Sequence, residues 1–155
     1  MTTTLARPLS LPPLIPRPPG HPGYSRTLAR VEESVAVARL AVCRSLECWG
    51  IGDETRETAV VIVSELFTNA VVHSTGTGAR VIIERPADDQ VYIAVVDRAA
   101  GRLPTLRAPS DWEDGGRGLM LVDAMADRWG CDRLGPPRRY WGKRVWAQLL
   151  IRAEQ

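Results

Sequence analysis

The sequence predicts an α+β fold: a two-layer sandwich with helices on one face of a mostly antiparallel, mixed sheet. Two observations carry that expectation. Residues 57–74, ETAVVIVSELFTNAVVHS, contain no Gly or Pro and are bounded by Gly50 and Gly52 before and Gly76 and Gly78 after. At about 100° per residue, Ala59, Val63, Leu66 and Ala70 gather into one apolar stripe, the mark of a helix packed by one face. Directly downstream the period becomes alternating. Residues 79–85 and 90–97 place apolar side chains at every second position, with Pro86-Ala87-Asp88-Asp89 between them as a turn. Helices interspersed with hairpin-joined strands bury one sheet face under one helix layer.

The remaining elements follow in order. Residues 1–22 hold seven of the twelve prolines, and such a segment propagates neither a helix nor a central strand. It reads as a disordered or polyproline-like tail, outside a single domain over 23–152. A short strand is expected at 24–28. A helix follows at 32–49, where Val35, Ala38, Val42, Leu46 and Trp49 keep the spacing of one face. Glu32 and Glu33 are expected in its first turn and Gly50 at its stop. That face serves equally as core or as a homodimer interface. Asp53 is a candidate N-cap for the next helix. Residues 98–114, broken by Gly101, Pro104 and Pro109, read as a long loop of the kind that is functional or mobile. A further helix begins after Gly115-Gly116-Arg117-Gly118, marked by Leu119, Val122, Ala126 and Trp129. Strands are expected at 129–134 and 143–151, joined by a basic connection with Arg138 and Arg139 that reads as a solvated tip. In the last strand Val145, Ala147, Leu149 and Ile151 alternate with Arg144, Trp146, Gln148 and Leu150, as in a half-buried antiparallel strand.

Composition narrows the function classes. A chain of 155 residues suffices for one domain with its own core. Its formal charge of +2 is too balanced to argue for nucleic acid or an anionic membrane surface. No apolar run reaches membrane-spanning length. No basic start leads into an unbroken apolar stretch, so the cytoplasm is the expected compartment. Cys43, Cys48 and Cys131 are odd in number and lack CxxC spacing. They read as buried thiols, not as a disulfide frame or a zinc site.

Three polar features stand out against this background. Glu65, Asn69 and His73 recur every fourth residue and form a line beside the apolar stripe. They fit a wet helix edge or a functional one. Asp97 shares the parity of Val91, Ile93 and Val95. A carboxylate on that side of a strand end requires donors, unless it initiates a turn by bonding its own backbone. Gly116 and Gly118 open a helix, where free N–H groups attract phosphate; a hinge explains them equally well.

Taken as a set, ELFTNAVVH (residues 65–73), VVD ending at Asp97, and GGRGLMLV (115–122) resemble the three boxes of the GHKL, or Bergerat-fold, ATP-binding family. The small single-domain form and the late GKRVW segment (142–146) resemble the anti-sigma-factor serine kinases and related bacterial regulators within it. The likeness covers roughly residues 24–151. It implies the Bergerat ATP-binding fold, with ATP and Mg²⁺ as cofactors. It implies that Asn69 is a Mg²⁺ ligand through its amide oxygen, a suitable donor for a hard ion. Glu65 would be the general base for in-line attack on the γ-phosphate. Asp97 would accept from the adenine amino group. Gly116, Arg117, Gly118 and Leu119 would hold the phosphates as the 98–114 loop closes. The implied activity is an ATP-dependent serine/threonine protein kinase that binds a sigma factor and phosphorylates an anti-anti-sigma antagonist protein. The alternative is a non-catalytic module that sequesters a transcription regulator. Two departures accompany the likeness. Arg98-Ala99-Ala100 follows Asp97 where the family has Asp-x-Gly, and Arg144 stands where relatives carry a hydroxyl residue near the base.

Overall fold

The computed structural model describes residues 22–101 and 117–152. The elements run β1 (Gly23–Ala29), α1 (Ser34–Cys48), α2 (Asp53–His73), β2 (Gly78–Ala87), β3 (Gln90–Asp97), α3 (Arg117–Met125), β4 (Arg128–Leu134) and β5 (Gly142–Leu150). The five strands form one sheet in the order β1-β2-β3-β5-β4. Every pairing is antiparallel, so the mixed character expected of the sheet is absent among the described residues. β5 returns between β3 and β4. The chain therefore leaves the end of β3 and crosses over α3 to the sheet edge before coming back beside β3.

One face of the sheet is apolar because the strand alternation is in phase across the registers. Val81, Ile83, Val91, Ile93, Val95, Val145, Ala147 and Leu149 share one core with Ala38, Val42 and Leu46 of α1, Ile62, Val63, Leu66, Phe67 and Ala70 of α2, and Val122 of α3. The apolar face of α1 is thus core. Ile82 and Ala94, a register pair, are also buried but lie outside that cluster, on the opposite face. Among the described residues no helix is long and apolar enough to cross a membrane.

Several local expectations shift. Glu33 is the N-cap of α1, so Glu32 and Glu33 precede its first turn. Gly52 caps α2 and Asp53 is the first helical residue; an acidic side chain still meets the positive end of the helix dipole there. Gly50 stops α1 at φ 71°, a left-handed conformation that glycine adopts without steric cost. α3 ends at Met125, which leaves Ala126 beyond the helix and Trp129 on β4. Cys43 and Cys131 are half-buried and Cys48 is exposed, so the thiols are less buried than expected; all three are unpaired. Arg138 and Arg139 lie in the exposed β4–β5 connection, as expected. The proline-rich tail lies outside the described residues.

Candidate functional site

α2 positions the first two candidate residues. It packs on β3 and β5 below, with α1 and α3 as neighbours. Arg39 of α1 donates to Ser64 Oγ, so Ser64 marks the side of α2 that faces α1. Glu65 follows about 100° further round the helix and Asn69 about 140° from Ser64. Both therefore sit on the flank turned away from α1. Glu65 and Asn69 are half-buried. Neither side chain makes a hydrogen bond among the described residues, which leaves the carboxylate and the amide oxygen available as acceptors. The C-terminal end of α2 is fastened by Arg30, whose guanidinium donates to Val71 O at 2.6 Å and Gly76 O at 2.8 Å. The bond to Val71 O satisfies a carbonyl that the helix end leaves open, and the bond to Gly76 O ties down the turn that follows. His73, the last residue of α2, is half-buried.

Asp97 ends β3 on the helix-facing side of the sheet and is only 4% exposed. Its Oδ1 accepts from Lys143 Nζ at 2.8 Å and from the Ala99 backbone N–H at 2.8 Å. The second bond is an Asx turn, so Asp97 initiates the turn after β3 as well as ending the strand. Lys143 Nζ also donates to Ala99 O at 3.2 Å. Alanine at 99 is therefore held by both members of the pair. No bond to Asp97 Oδ2 is made among the described residues.

The residue beside Asp97 is thus Lys143, not Arg144. In the β3–β5 register Asp97 pairs with Lys143 and Val96 with Arg144. Side chains alternate faces along a strand, so Arg144 projects to the opposite side of the sheet, beside Tyr92. The signal for Lys143 was its parity with Val145, Ala147 and Leu149, which places it on the buried face. Strand closure here is tight. A Cβ on Gly142 would overlap the Asp97 carbonyl oxygen and stand 3.2 Å from its carbonyl carbon.

β4 flanks the pair. Cys131 pairs with Val145, and Arg133 pairs with Lys143. Burial pushes the Cys131 thiol up to about 11, against the opposing pull of nearby Lys143, while Asp132 and Asp97 raise it further. It is a neutral thiol at physiological pH, unsuited to nucleophilic work. Arg133 donates to Ala100 O at 3.2 Å and lies over the Tyr140 ring.

α3 supplies the third element. It starts at Arg117 and packs against α2. Leu119 is buried and anchors that first turn, whose backbone N–H groups have no intrahelical acceptor. Gly116 and residues 102–115 lie outside the described residues, as do the side chains of Arg117 and Gly118. The structure thus places Glu65 and Asn69 on the flank of α2 turned away from α1, Asp97 at the end of β3, on which α2 packs, and the start of α3, a helix that also packs against α2.

Residues 28–148 match the family model of the histidine kinase-like ATPase domain. The anti-sigma F factor of Pasteuria penetrans is 32% identical over 108 residues, which cover 62% of this chain and 71% of that protein. The match spans α2, β3 and α3, the elements that carry Glu65, Asn69, Asp97 and the α3 turn. The chain belongs to the histidine kinase-like ATPase domain family.

Proposed function

We propose that the protein is an ATP-binding anti-sigma regulator of the cytoplasm that acts as a serine/threonine protein kinase. It would bind a sigma factor and transfer the γ-phosphate of ATP to an antagonist protein. The observation that carries this reading is the pairing of Glu65 and Asn69 one turn apart on the flank of α2 away from α1, with buried Asp97 on the strand below. The family supports ATP as the ligand, and the similarity to an anti-sigma factor supports the partners.

The residues divide the work. Asp97 accepts from the exocyclic amino group of adenine, a group guanine replaces with an oxygen. The open N–H groups at the start of α3, with Gly116, Arg117 and Gly118, receive the phosphates. Asn69 would offer its amide oxygen to Mg²⁺, which would supply positive charge to the phosphates. Glu65 accepts the proton of the attacking hydroxyl, so its carboxylate must be ionised and within hydrogen-bond reach of that hydroxyl. Its lack of a competing donor among the described residues suits that role.

The test is transfer of labelled phosphate from ATP to a candidate antagonist, comparing wild type with Glu65→Gln. The reading predicts that the variant binds ATP normally and transfers at least a hundredfold more slowly, the scale of a lost general base. Transfer undiminished in Glu65→Gln would refute the base. A second reading, a non-catalytic module that sequesters its partner, is favoured by one observation: Asp97 Oδ1 is already engaged by Lys143 and Ala99. It predicts undisturbed partner binding in Glu65→Gln and no phosphate transfer by wild type.

A further inference from the structure

We propose that Lys143 reads the nucleotide base together with Asp97, the pair presenting a donor and an acceptor side by side to the edge of adenine. This makes Lys143 a specificity-determining residue of the chain. The inference rests on the assignment of Asp97 to the base and deepens it.

Lys143 and Asp97 are register partners on β5 and β3, and both point to the helix-facing side of the sheet. Lys143 is only 5% exposed. An ammonium has three donors. One goes to Asp97 Oδ1 at 2.8 Å and one to Ala99 O at 3.2 Å. The third has no acceptor among the described residues. A buried donor left unused is costly. Asp97 is in the complementary position: Oδ1 carries two bonds and Oδ2 none among the described residues. The pair therefore offers one donor and one acceptor, close together on the same face.

Adenine carries the matching pattern on one edge, an amino donor next to a ring-nitrogen acceptor. Oδ2 meets the amino group and Nζ meets the ring nitrogen. Guanine in the same pose presents an oxygen to the carboxylate and an N–H to the ammonium, so both contacts turn repulsive. Among the described residues no other cation competes for the role. Arg133 is directed to Ala100 O and the Tyr140 ring, Arg98 lies over the Trp141 ring, and Arg144 faces the other side of the sheet. Stability alone is a weak reason for the pair, since apolar side chains of similar volume often replace a buried ion pair at no loss.

The experiment is competition binding to the full chain with Mg²⁺, using ATP and three analogues. In 1-deaza-ATP a C–H replaces the ring nitrogen and the amino group is kept. In purine riboside triphosphate the ring nitrogen is kept and the amino group is absent. GTP reverses both. Wild type is expected to bind each analogue at least tenfold more weakly than ATP, the scale of one hydrogen bond to a charged group. Lys143→Met is expected to bind ATP and 1-deaza-ATP equally, while still rejecting the analogue without the amino group. Equal binding of ATP and 1-deaza-ATP by wild type overturns the proposal and leaves the Asp97 assignment standing. Equal binding of ATP and purine riboside triphosphate overturns both, as does failure to bind any nucleotide. The wild-type comparison decides the matter even where Lys143→Met does not fold.

Discussion

Gly142→Ala is the sharpest probe of how the sheet builds the site. Gly142 opens β5 one residue before Lys143 and lies directly against the last residue of β3. The added methyl overlaps the Asp97 carbonyl oxygen and reaches within 3.4 Å of Arg98 Cα. All the obstructing atoms are backbone, so no side-chain rotation relieves the clash. An ordinary carbon–oxygen contact needs about 3.3 Å, so β3 and β5 must part by roughly 1 Å at this end. Overpacking of this kind costs about 1–3 kcal/mol. Weakening one or two ladder hydrogen bonds adds about 1 kcal/mol each. A total loss of about 2–5 kcal/mol is expected in urea unfolding. The same displacement pulls Lys143 from Asp97, so ATP affinity falls by more than the fraction of unfolded protein explains. A variant that keeps wild-type stability and wild-type ATP affinity would refute the argument that this strand closure sets the site.

Two further outcomes follow from single contacts. Arg30→Ala removes the bond to the end of α2 at Val71 O and the bond to the following turn at Gly76 O, and should lower stability by about 1–3 kcal/mol. A shift below about 0.5 kcal/mol in denaturant unfolding contradicts the capping role. The Cys131 thiol, raised from 9.0 to about 11 by burial, keeps its proton in the folded state while the unfolded thiol ionises. Its contribution is therefore complete below pH 9 and lost as the pH rises through about 11. The stability advantage of wild type over Cys131→Ala should shrink between pH 8 and pH 11; an unchanged difference contradicts the shift.

The fold was legible where the sequence carries a local period. The stripe Ala59, Val63, Leu66 and Ala70 is buried as its spacing requires, and the strand expected at 90–97 is β3 to the residue. Element ends were less legible, because a cap depends on backbone conformation that composition leaves open. Gly52 takes the N-cap of α2 although Asp53 has the better capping side chain. Of the candidate site, the face on which Asp97 lies was legible. Asp97 was placed on the buried face by parity alone, and it is there. Its partner was not legible, because Asp97 and Lys143 are 46 residues apart. The register of β5 against β3 is set by contacts along both strands, and a one-residue slip exchanges Lys143 for Arg144.

Calorimetric titration with ATP, with and without Mg²⁺, on wild type and Asn69→Ala tests the central claim most directly. The account predicts that wild type binds ATP, that Mg²⁺ strengthens the binding, and that Asn69→Ala loses the Mg²⁺-dependent part. No binding at millimolar ATP, or binding indifferent to both Mg²⁺ and Asn69, would contradict it.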